Sequence, residues 1–428
     1  GVTFGASDTE GGADDAGLSV GIELPGSAGG ARAGGAGNAG AQPTPARASG
    51  QAGAMYVPEE DLPEWFGRVT GWWGTRHKAS GQKRTHLTFA PFVTSSPLIG
   101  VGFGLGGAGT VQLGDPATTP LSTFSTSLLV TTNSQYSVPI RTDINLPEGE
   151  WNLMGLWRFN QFPSPTWGLG GNTPDSAKTI IDYTQLTFLE VISHKLVGDL
   201  YLGAGYYADW LFNISDTGAA NGQMTPFSKY PWGTGSQALS TGPCVNLLYD
   251  SRDSDVNPYR GWYADLNYSL LPTWLGSTTG WQSIWAEGRT YVPLWQRAVL
   301  AFWAYGWFNF GQVPYLELAS IGGDPYGRSG RGYIEGRHIG KSLLYGEAEL
   351  RVMVWNWLSM ITAVNVHSAA QPGANGVFQD EPRFQYWSPA VVVGMRLLIV
   401  KPSRSNVCLD FALGRQSHGV YLNFAETF

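Results

Sequence analysis

The segment "YGEAELRVMVW" (residues 345–355) alternates polar and apolar side chains. Glu347 and Glu349 fall on one face of an extended chain, whereas Leu350 and Val352 fall on the other. A period of two residues predicts a β-strand with one polar and one apolar face. The fold of this chain depends on how often that pattern returns.

The same period recurs in "AVVVGMRLLIV" (390–400) and "SNVCLDFALG" (405–414). A soluble sandwich would also alternate, but strands of about ten residues repeated without intervening helices match a tilted strand that spans a bilayer. Charged residues make up only 14 % of the chain and aromatic residues 13 %. No stretch has the roughly 18 apolar residues of a membrane helix, so a closed transmembrane β-barrel is the predicted fold.

Sixteen strands are predicted between residue 83 and the C-terminus: 85–94, 99–113, 123–132, 136–146, 150–160, 182–193, 196–208, 240–251, 259–270, 278–292, 295–308, 340–352, 356–366, 386–400, 405–414 and 418–427. An even number places both ends of an outer-membrane barrel on the periplasmic side. The long connections are then external: 161–181, 209–239, 271–277, 309–339 and 367–385. The short turns are periplasmic: 194–195, 293–294 and 401–404.

Two segments precede the predicted barrel (83–428). Residues 1–53 are rich in Gly and Ala and predict a flexible tail on the periplasmic side. Residues 54–82 contain a Trp-rich apolar stripe at helical spacing, which predicts an amphipathic helix over about 59–74. That helix lies either in the membrane interface or against protein.

The net charge, the cysteines and the histidines restrict the partners and sites that this chain can have. A net charge of −7 argues against a nucleic-acid partner. Cys244 and Cys408 fall on inward positions of distant strands, which predicts two thiols without a disulfide. The six histidines form no metal-ligand spacing, no Ser/His/acid set is grouped as in a hydrolase, and neither a metal nor a cofactor is expected. A non-enzymatic barrel is therefore predicted, with a lipase-like enzyme as the weakest alternative.

The stretch "GRSGRGYIEGRHIG" (327–340) concentrates Arg328, Arg331, Arg337 and His338 among glycines. Such a loop could bind phosphate or nucleic acid, stay in external solvent, or fold into the barrel. It directly precedes a strand with inward-facing acids, and a buried guanidinium requires carboxylate partners. An inward-folded loop is therefore the prediction.

Three motifs resemble those of the BamA/TamA outer-membrane assembly-factor superfamily, also called bacterial surface antigen barrels. The resemblance extends over about residues 83–428. One motif comprises Ile321-Gly322-Gly323, Arg331-Gly332-Tyr333 and Glu349-Leu350-Arg351. Another is a turn motif of Asp250, Arg252, Asp253, Pro258 and Gly261. The last is the terminal "NFAETF" (423–428).

This resemblance implies that the sixth external loop folds inward and that Arg331, with Gly332 and Tyr333, pairs with Glu349. The family usually places an Asp on the next strand, where this chain has Asn365. That difference weakens the expected anchor and leaves Glu347 as a substitute. The turn motif is expected to be structural and periplasmic rather than metal-binding.

The terminal strand carries Gly419, Leu422, Phe424 and Phe428. Leu422, Phe424 and Phe428 share the parity expected to face lipid, and an aromatic last residue is typical of a terminal strand that an outer-membrane assembly machinery recognises.

The resemblance further implies insertion or translocation of unfolded outer-membrane or surface proteins, or movement of lipid, through a weakly paired seam between the first and last strands. Lipid and lipopolysaccharide are the expected surroundings. The periplasmic POTRA repeats of the family are not found in this sequence, so the chain resembles a POTRA-less branch, and a separate periplasmic or surface subunit is a possible partner. A passive barrel that anchors partner proteins is the alternative function.

Overall fold

The computed structural model describes residues 85–428 apart from short gaps, and the strands Val2–Ala6 and Ser19–Ile22. The gaps are 97–99, 116–117, 120–121, 133, 220–221, 255–256, 326–327, 374–377, 379–380, 401–403, 416 and 424–425. The predicted helix 59–74 and the whole of 54–82 lie outside the described residues. None of the described residues forms a helix long and apolar enough to cross a membrane.

The described strands, in chain order, are β1 (Val2–Ala6), β2 (Ser19–Ile22), β3 (Thr85–Ser96), β4 (Gly100–Val111), β5 (Ser122–Thr131), β6 (Tyr136–Asn145), β7 (Trp151–Thr166), β8 (Thr179–Val197), β9 (Leu200–Asp216), β10 (Gln237–Asp250), β11 (Gly261–Leu271), β12 (Trp281–Trp295), β13 (Ala298–Gly311), β14 (Ala319–Ser320), β15 (Ile339–Gly340), β16 (Ser342–Trp355), β17 (Leu358–Ala369), β18 (Ser388–Val400), β19 (Ser405–Gly414) and β20 (Ser417–Asn423). Short 3-10 helices lie at Pro147–Gly149, Asp175–Ala177, Thr273–Leu275 and Tyr315–Glu317.

The predicted sixteen-stranded antiparallel sheet is confirmed. Strands β3 to β13 and β16 to β20 each pair with the next one along the chain, and β13 pairs with β16. Five long connections leave one end of the sheet: 167–178, 217–236, 272–280, 312–341 and 370–387. Most connections at the other end are shorter, although 112–121 and 251–260 are each one residue longer than 272–280. This alternation follows the predicted pattern.

The edge of the last strand differs from the expected closed barrel. Strand β20 pairs with β19 on one side and with β1 on the other, and β1 pairs with β2. Because a strand has only two edges, β20 does not pair directly with β3 in the part of the chain that the structure describes. A Gly/Ala-rich segment can form strands here because an existing edge supplies backbone hydrogen-bond partners, so no separate apolar core is required.

The two faces of the sheet differ as the sequence period predicts. On β18, Val391 and Val393 are exposed outward, whereas Val392 and Arg396 are buried. Burial of an arginine is tolerated only where carboxylates neutralise it. The inward face of β18 must therefore meet acids in the barrel interior.

The connection between β13 and β16, residues 312–341, fills much of that interior, and we call it the inner loop. Buried aromatic side chains of the wall pack around it, and the loop contributes Ile321 and Tyr333 to the same cluster. The wall residues of this cluster include Trp303, Tyr305 and Tyr345. The inner loop and this part of the wall thus form a packed core with buried charges.

Candidate functional site

The tip of the inner loop approaches the barrel wall more closely than a side chain would permit. Gly332 has φ +101°, and a Cβ there would lie 2.9 Å from the Ala390 Cβ and 3.1 Å from the Gly414 backbone nitrogen. Only glycine combines this left-handed conformation with so short an approach. Asp324 shapes the loop before the tip by accepting a hydrogen bond of 2.9 Å from the Ser329 backbone N–H.

Arg331 makes three ion pairs at the tip, where its side chain is 2 % exposed. One Nη atom lies 2.6 Å from Asp410 Oδ2, and the other lies 2.6 Å from Glu349 Oε2 and also pairs with Glu347. We call Arg331 and these three acids the anchor. Charge-assisted hydrogen bonds of this kind are the strongest that a buried guanidinium can form.

Two further arginines neutralise the same acids. Arg351 donates from Nε to Glu349 at 2.7 Å, and Arg396 pairs with Asp410 and donates to Glu426 at 2.7 Å. The anchor is therefore part of a buried network of three arginines and four carboxylates. Networks of this kind hold a fixed geometry because every lost partner leaves an uncompensated charge.

Asp410 is the further acid partner of Arg331 that the sequence analysis did not identify. Asn365 does not bind the guanidinium of Arg331; its amide donates to the Arg331 backbone carbonyl at 3.0 Å. The third acid comes instead from β19, where Asp410 lies opposite Gly394. A Cβ at Gly394 would clash with Asp410 Oδ1, so the glycine makes room for this carboxylate.

The rest of the tip connects the loop to the last strands. The Gly332 backbone N–H donates to the Tyr421 hydroxyl of β20 at 2.7 Å. Tyr333 donates its hydroxyl hydrogen to the Pro389 carbonyl at 2.7 Å and accepts a hydrogen bond of 3.0 Å from the Arg415 backbone N–H. The tip thus holds the inner loop against β18, β19 and β20 together.

A buried histidine pair, which sequence reasoning missed, fixes the end of the inner loop. His338 Nδ1 lies 2.6 Å from His367 Nε2, and the Tyr333 ring meets the His367 ring edge-on with centroids 4.7 Å apart. His367 of β17 thus adds a contact between the barrel wall and the inner loop.

An acid pair at the start of the inner loop was also missed. Glu317 is 8 % exposed and Asp209 of β9 is 1 % exposed, and their carboxyl groups interact as hydrogen-bond partners. Asp209 accepts further hydrogen bonds from Thr187 and Gln185 at 2.6 and 3.0 Å. Burial and the charge of Asp209 raise the pKa of Glu317 well above its ordinary range. Nothing in the local sequence signals this pair, because its two members lie far apart along the chain.

The turn motif forms a compact structural unit between β10 and β11. Arg252 donates two hydrogen bonds to Asp250, of 2.9 and 2.7 Å. Asp253 accepts from the Tyr259 backbone N–H at 2.9 Å and pairs with Arg404 of the β18–β19 turn at 2.9 Å. Gly261, with φ +109°, approaches the Ser251 carbonyl, and Pro258 lies within the same connection. These contacts join two turns at one end of the barrel.

Phe428 does not follow the lipid-facing parity that was predicted for the terminal residues. Gly419 and Leu422 belong to β20, and Phe424 lies outside the described residues. Phe428, predicted to face lipid, is only 3 % exposed and packs against Trp303 with ring centroids 5.3 Å apart. Its carbonyl accepts a hydrogen bond of 2.7 Å from Arg351. A buried arginine therefore draws the chain into the interior after β20, which strand parity alone does not reveal.

The two cysteines and the potential metal ligands were the other candidates for a chemical site. Cys244 and Cys408 are buried and form no disulfide. Across the described residues, no group of three or more His, Cys, Asp or Glu side chains is arranged to hold a metal ion.

Solved structures share this architecture. BamA from Haemophilus ducreyi lacking POTRA domains 1–3 is 13 % identical, with a TM-score of 0.51 over 79 % of this chain and 70 % of that one. This chain has a BamA-like barrel fold. CdiB from Escherichia coli is 11 % identical, with a TM-score of 0.51 over 80 % of this chain and 63 % of that one.

The BamA-like barrel therefore spans less than two thirds of the CdiB chain. No protein-family profile and no curated protein matches its sequence. The similarity lies in the fold, which agrees with the fold that the three motifs implied.

Proposed function

We propose that this BamA-like barrel inserts or translocates unfolded outer-membrane or surface proteins at a bacterial outer membrane. It would do so by offering a strand edge to its substrate rather than by bond chemistry. Residues of the lipid-facing parity would contact lipid and lipopolysaccharide, and the N-terminus would be periplasmic. A separate periplasmic or surface subunit would capture the substrate.

The observation that carries this proposal is the partner of the last strand. The outer edge of β20 pairs with the N-terminal strand β1, and β20 does not pair directly with β3 in the described part of the chain. The first and last strands of the sixteen-stranded sheet are therefore not joined directly to each other. The outer edge of β20 is the place where the sheet can accept an extended substrate segment without breaking a pairing between two wall strands.

The anchor supports the same function. It fixes the inner loop to β16 and β19, and Gly332 holds the loop to β20. With these contacts in place, the last three strands keep their shape while the outer edge of β20 exchanges partners.

The experiment is reconstitution of the purified protein in phospholipid vesicles. A urea-unfolded outer-membrane barrel is added, and its folding is followed by heat-modifiable gel mobility. We expect folding at least about tenfold faster than in vesicles without protein. Equal rates in both vesicle preparations would contradict the proposal.

Depletion of the protein from cells distinguishes the proposed insertion factor from a passive scaffold barrel. An insertion factor lowers the amounts of other outer-membrane proteins, or alters surface lipid, when it is depleted. A passive scaffold leaves both unchanged and changes only the partners that it anchors, which would appear by co-purification from native membrane in mild detergent. Phospholipid turnover by the purified protein would instead indicate a membrane enzyme.

A further inference from the structure

We infer that strand β1 of this chain is a tethered occupant of the outer edge of β20, where it takes the place of a substrate strand. The inference rests on the proposed function for its consequence, but the strand placement stands on the sheet itself. In this arrangement β1 is an autoinhibitory partner that covers the edge at which a substrate would bind.

The pairing is antiparallel and in register along the whole of β1. Val2 lies opposite Leu422, Phe4 lies opposite Val420, and Ala6 lies opposite His418. Strand β2 covers the other edge of β1. The β20 edge is therefore occupied by five residues of the chain's own N-terminal segment.

The sequence pattern agrees with this register and with no neighbouring one. Val420 pairs with Phe411 on β19, and Phe411 is 48 % exposed on the outward face. The register places Phe4 opposite Val420 and Thr3 opposite Tyr421, so that Val2 and Phe4 share one parity and Thr3 has the other. Because a slip of one residue exchanges the two faces, the alternation in "VTFGA" favours the observed pairing.

Strand β2 repeats the pattern. Val20 lies opposite Phe4 and Ile22 opposite Val2, so the apolar residues of both strands share one parity. Small or polar residues, Ser19 and Gly21, take the other parity. A segment rich in Gly and Ala that carries two matched lipid-parity strands is patterned for this edge.

Occupancy of the edge by β1 is intramolecular. Sixty-two residues, 23–84, separate β2 from β3 along the chain, so β1 would stay attached to the molecule after leaving the edge. A strand tethered to its own target edge competes at an effective concentration of roughly millimolar order. A substrate strand must therefore displace β1, which would keep the edge covered when no substrate is present.

Disulfide trapping tests the placement. In a Cys244→Ala, Cys408→Ala background, Phe4→Cys with Val420→Cys places two cysteines at directly opposite positions, whose Cβ atoms are about 4.5–5.5 Å apart in such a pair. The matched control is Phe4→Cys with Phe411→Cys, which lie two strands apart at about 10 Å and exceed disulfide reach. Both pairs are oxidised in native outer membranes, and intramolecular crosslinks are identified by mass spectrometry.

We expect the 4–420 crosslink to form and the 4–411 crosslink to stay below about a tenth of its yield. Failure of the 4–420 pair to form, or equal yields from both pairs, would overturn the inference. The locked 4–420 protein is then compared with its reduced form in the vesicle assay, where we expect at least a fivefold slower insertion that reductant restores. Unchanged insertion by the locked protein would also overturn it. If the unmodified protein shows no insertion at all, the proposed function fails while the crosslink yields still decide the strand placement.

Discussion

The tip and the start of the inner loop both bury carboxylates, but they compensate them differently. At the tip, Glu347, Glu349 and Asp410 surround the guanidinium of Arg331. At the start, Glu317 meets Asp209, and neither carboxyl group has an ion pair in the described part of the chain. The tip is held by opposite charge, whereas the raised pKa of Glu317 indicates that the start is held by a proton between its two carboxyl groups.

This difference predicts different sensitivities. Removing Arg331 from the tip leaves buried negative charge without full compensation, which is strongly destabilising. The start has no ion-paired cation among the described residues, so its protonation state is the property most easily changed. The tip should therefore respond to mutation and the start to pH.

The largest effect is expected from Arg331→Ala. It leaves the buried Glu347 without a cation and removes one of the cations that Glu349 and Asp410 share, so we expect a loss of about 3–5 kcal/mol in the free energy of unfolding. Urea unfolding in lipid vesicles measures the loss, and protease access to the inner loop reports its release. The control is Arg337→Ala in the same loop, whose partner Asp175 is 53 % exposed. An exposed pair of this kind contributes about 1 kcal/mol or less. Similar losses from both variants would contradict the special role of the tip.

The second largest effect is expected at Asp410, the acid that β19 contributes to the anchor. Asp410→Asn removes a charge that Arg331 and Arg396 share, and we expect a loss of about 2–3 kcal/mol. Adding Asn365→Asp places an acid on the strand where the resemblance of the sequence motifs led us to expect one. We expect no rescue, because Asn365 donates to the Arg331 carbonyl and a carboxylate there would repel it. Urea unfolding of the single and double variants measures this, and recovery by the double variant would show that either strand can supply the acid.

A smaller effect is expected from Gly332→Ala. The added methyl group meets the wall at Ala390 and the backbone has φ +101°, so we expect a loss of about 1–3 kcal/mol. Gly346→Ala on β16 is the control, since a Cβ there has no atom within 4 Å. Thermal unfolding of both variants in vesicles gives the comparison. A Gly332→Ala protein as stable as its control would mean that the tip can move away from the wall.

Much of the fold was predictable because alternation repeats strand after strand, and each apolar face must meet lipid while its polar face meets the interior. Arg331 and Glu349 were predictable for the same reason, since a charged loop directly precedes a strand with inward acids. Asp410 was not, although its inward parity was visible, because strand parity does not say which side chains meet across the interior. The inward position of Phe428 could not be predicted for a similar reason, because its partner Arg351 lies 77 positions earlier in the chain.

The smallest effect, and the one that separates the two regions most cleanly, is expected from Glu317→Gln. Burial and the neighbouring Asp209 raise the pKa of Glu317, so in the native state its carboxyl group stays protonated at pH values where the unfolded chain ionises it. An unfolded glutamate titrates near pH 4.3. The native protein therefore loses stability as pH rises above that value toward the raised native pKa, because only the unfolded state gains from losing the proton.

The side-chain amide of the Glu317→Gln variant is neutral at every pH and still donates a hydrogen bond to Asp209, so this loss should disappear. We expect the variant to match the unmodified protein near pH 4.5 and to become progressively more stable than it toward pH 9, as measured by urea unfolding at both pH values. Glu148→Gln, at an exposed glutamate in a turn, is the control and should show no such divergence. A stability difference that is the same at both pH values would mean that Glu317 is ionised in the native state, and the contrast between a charge-held tip and a proton-held start would then be wrong.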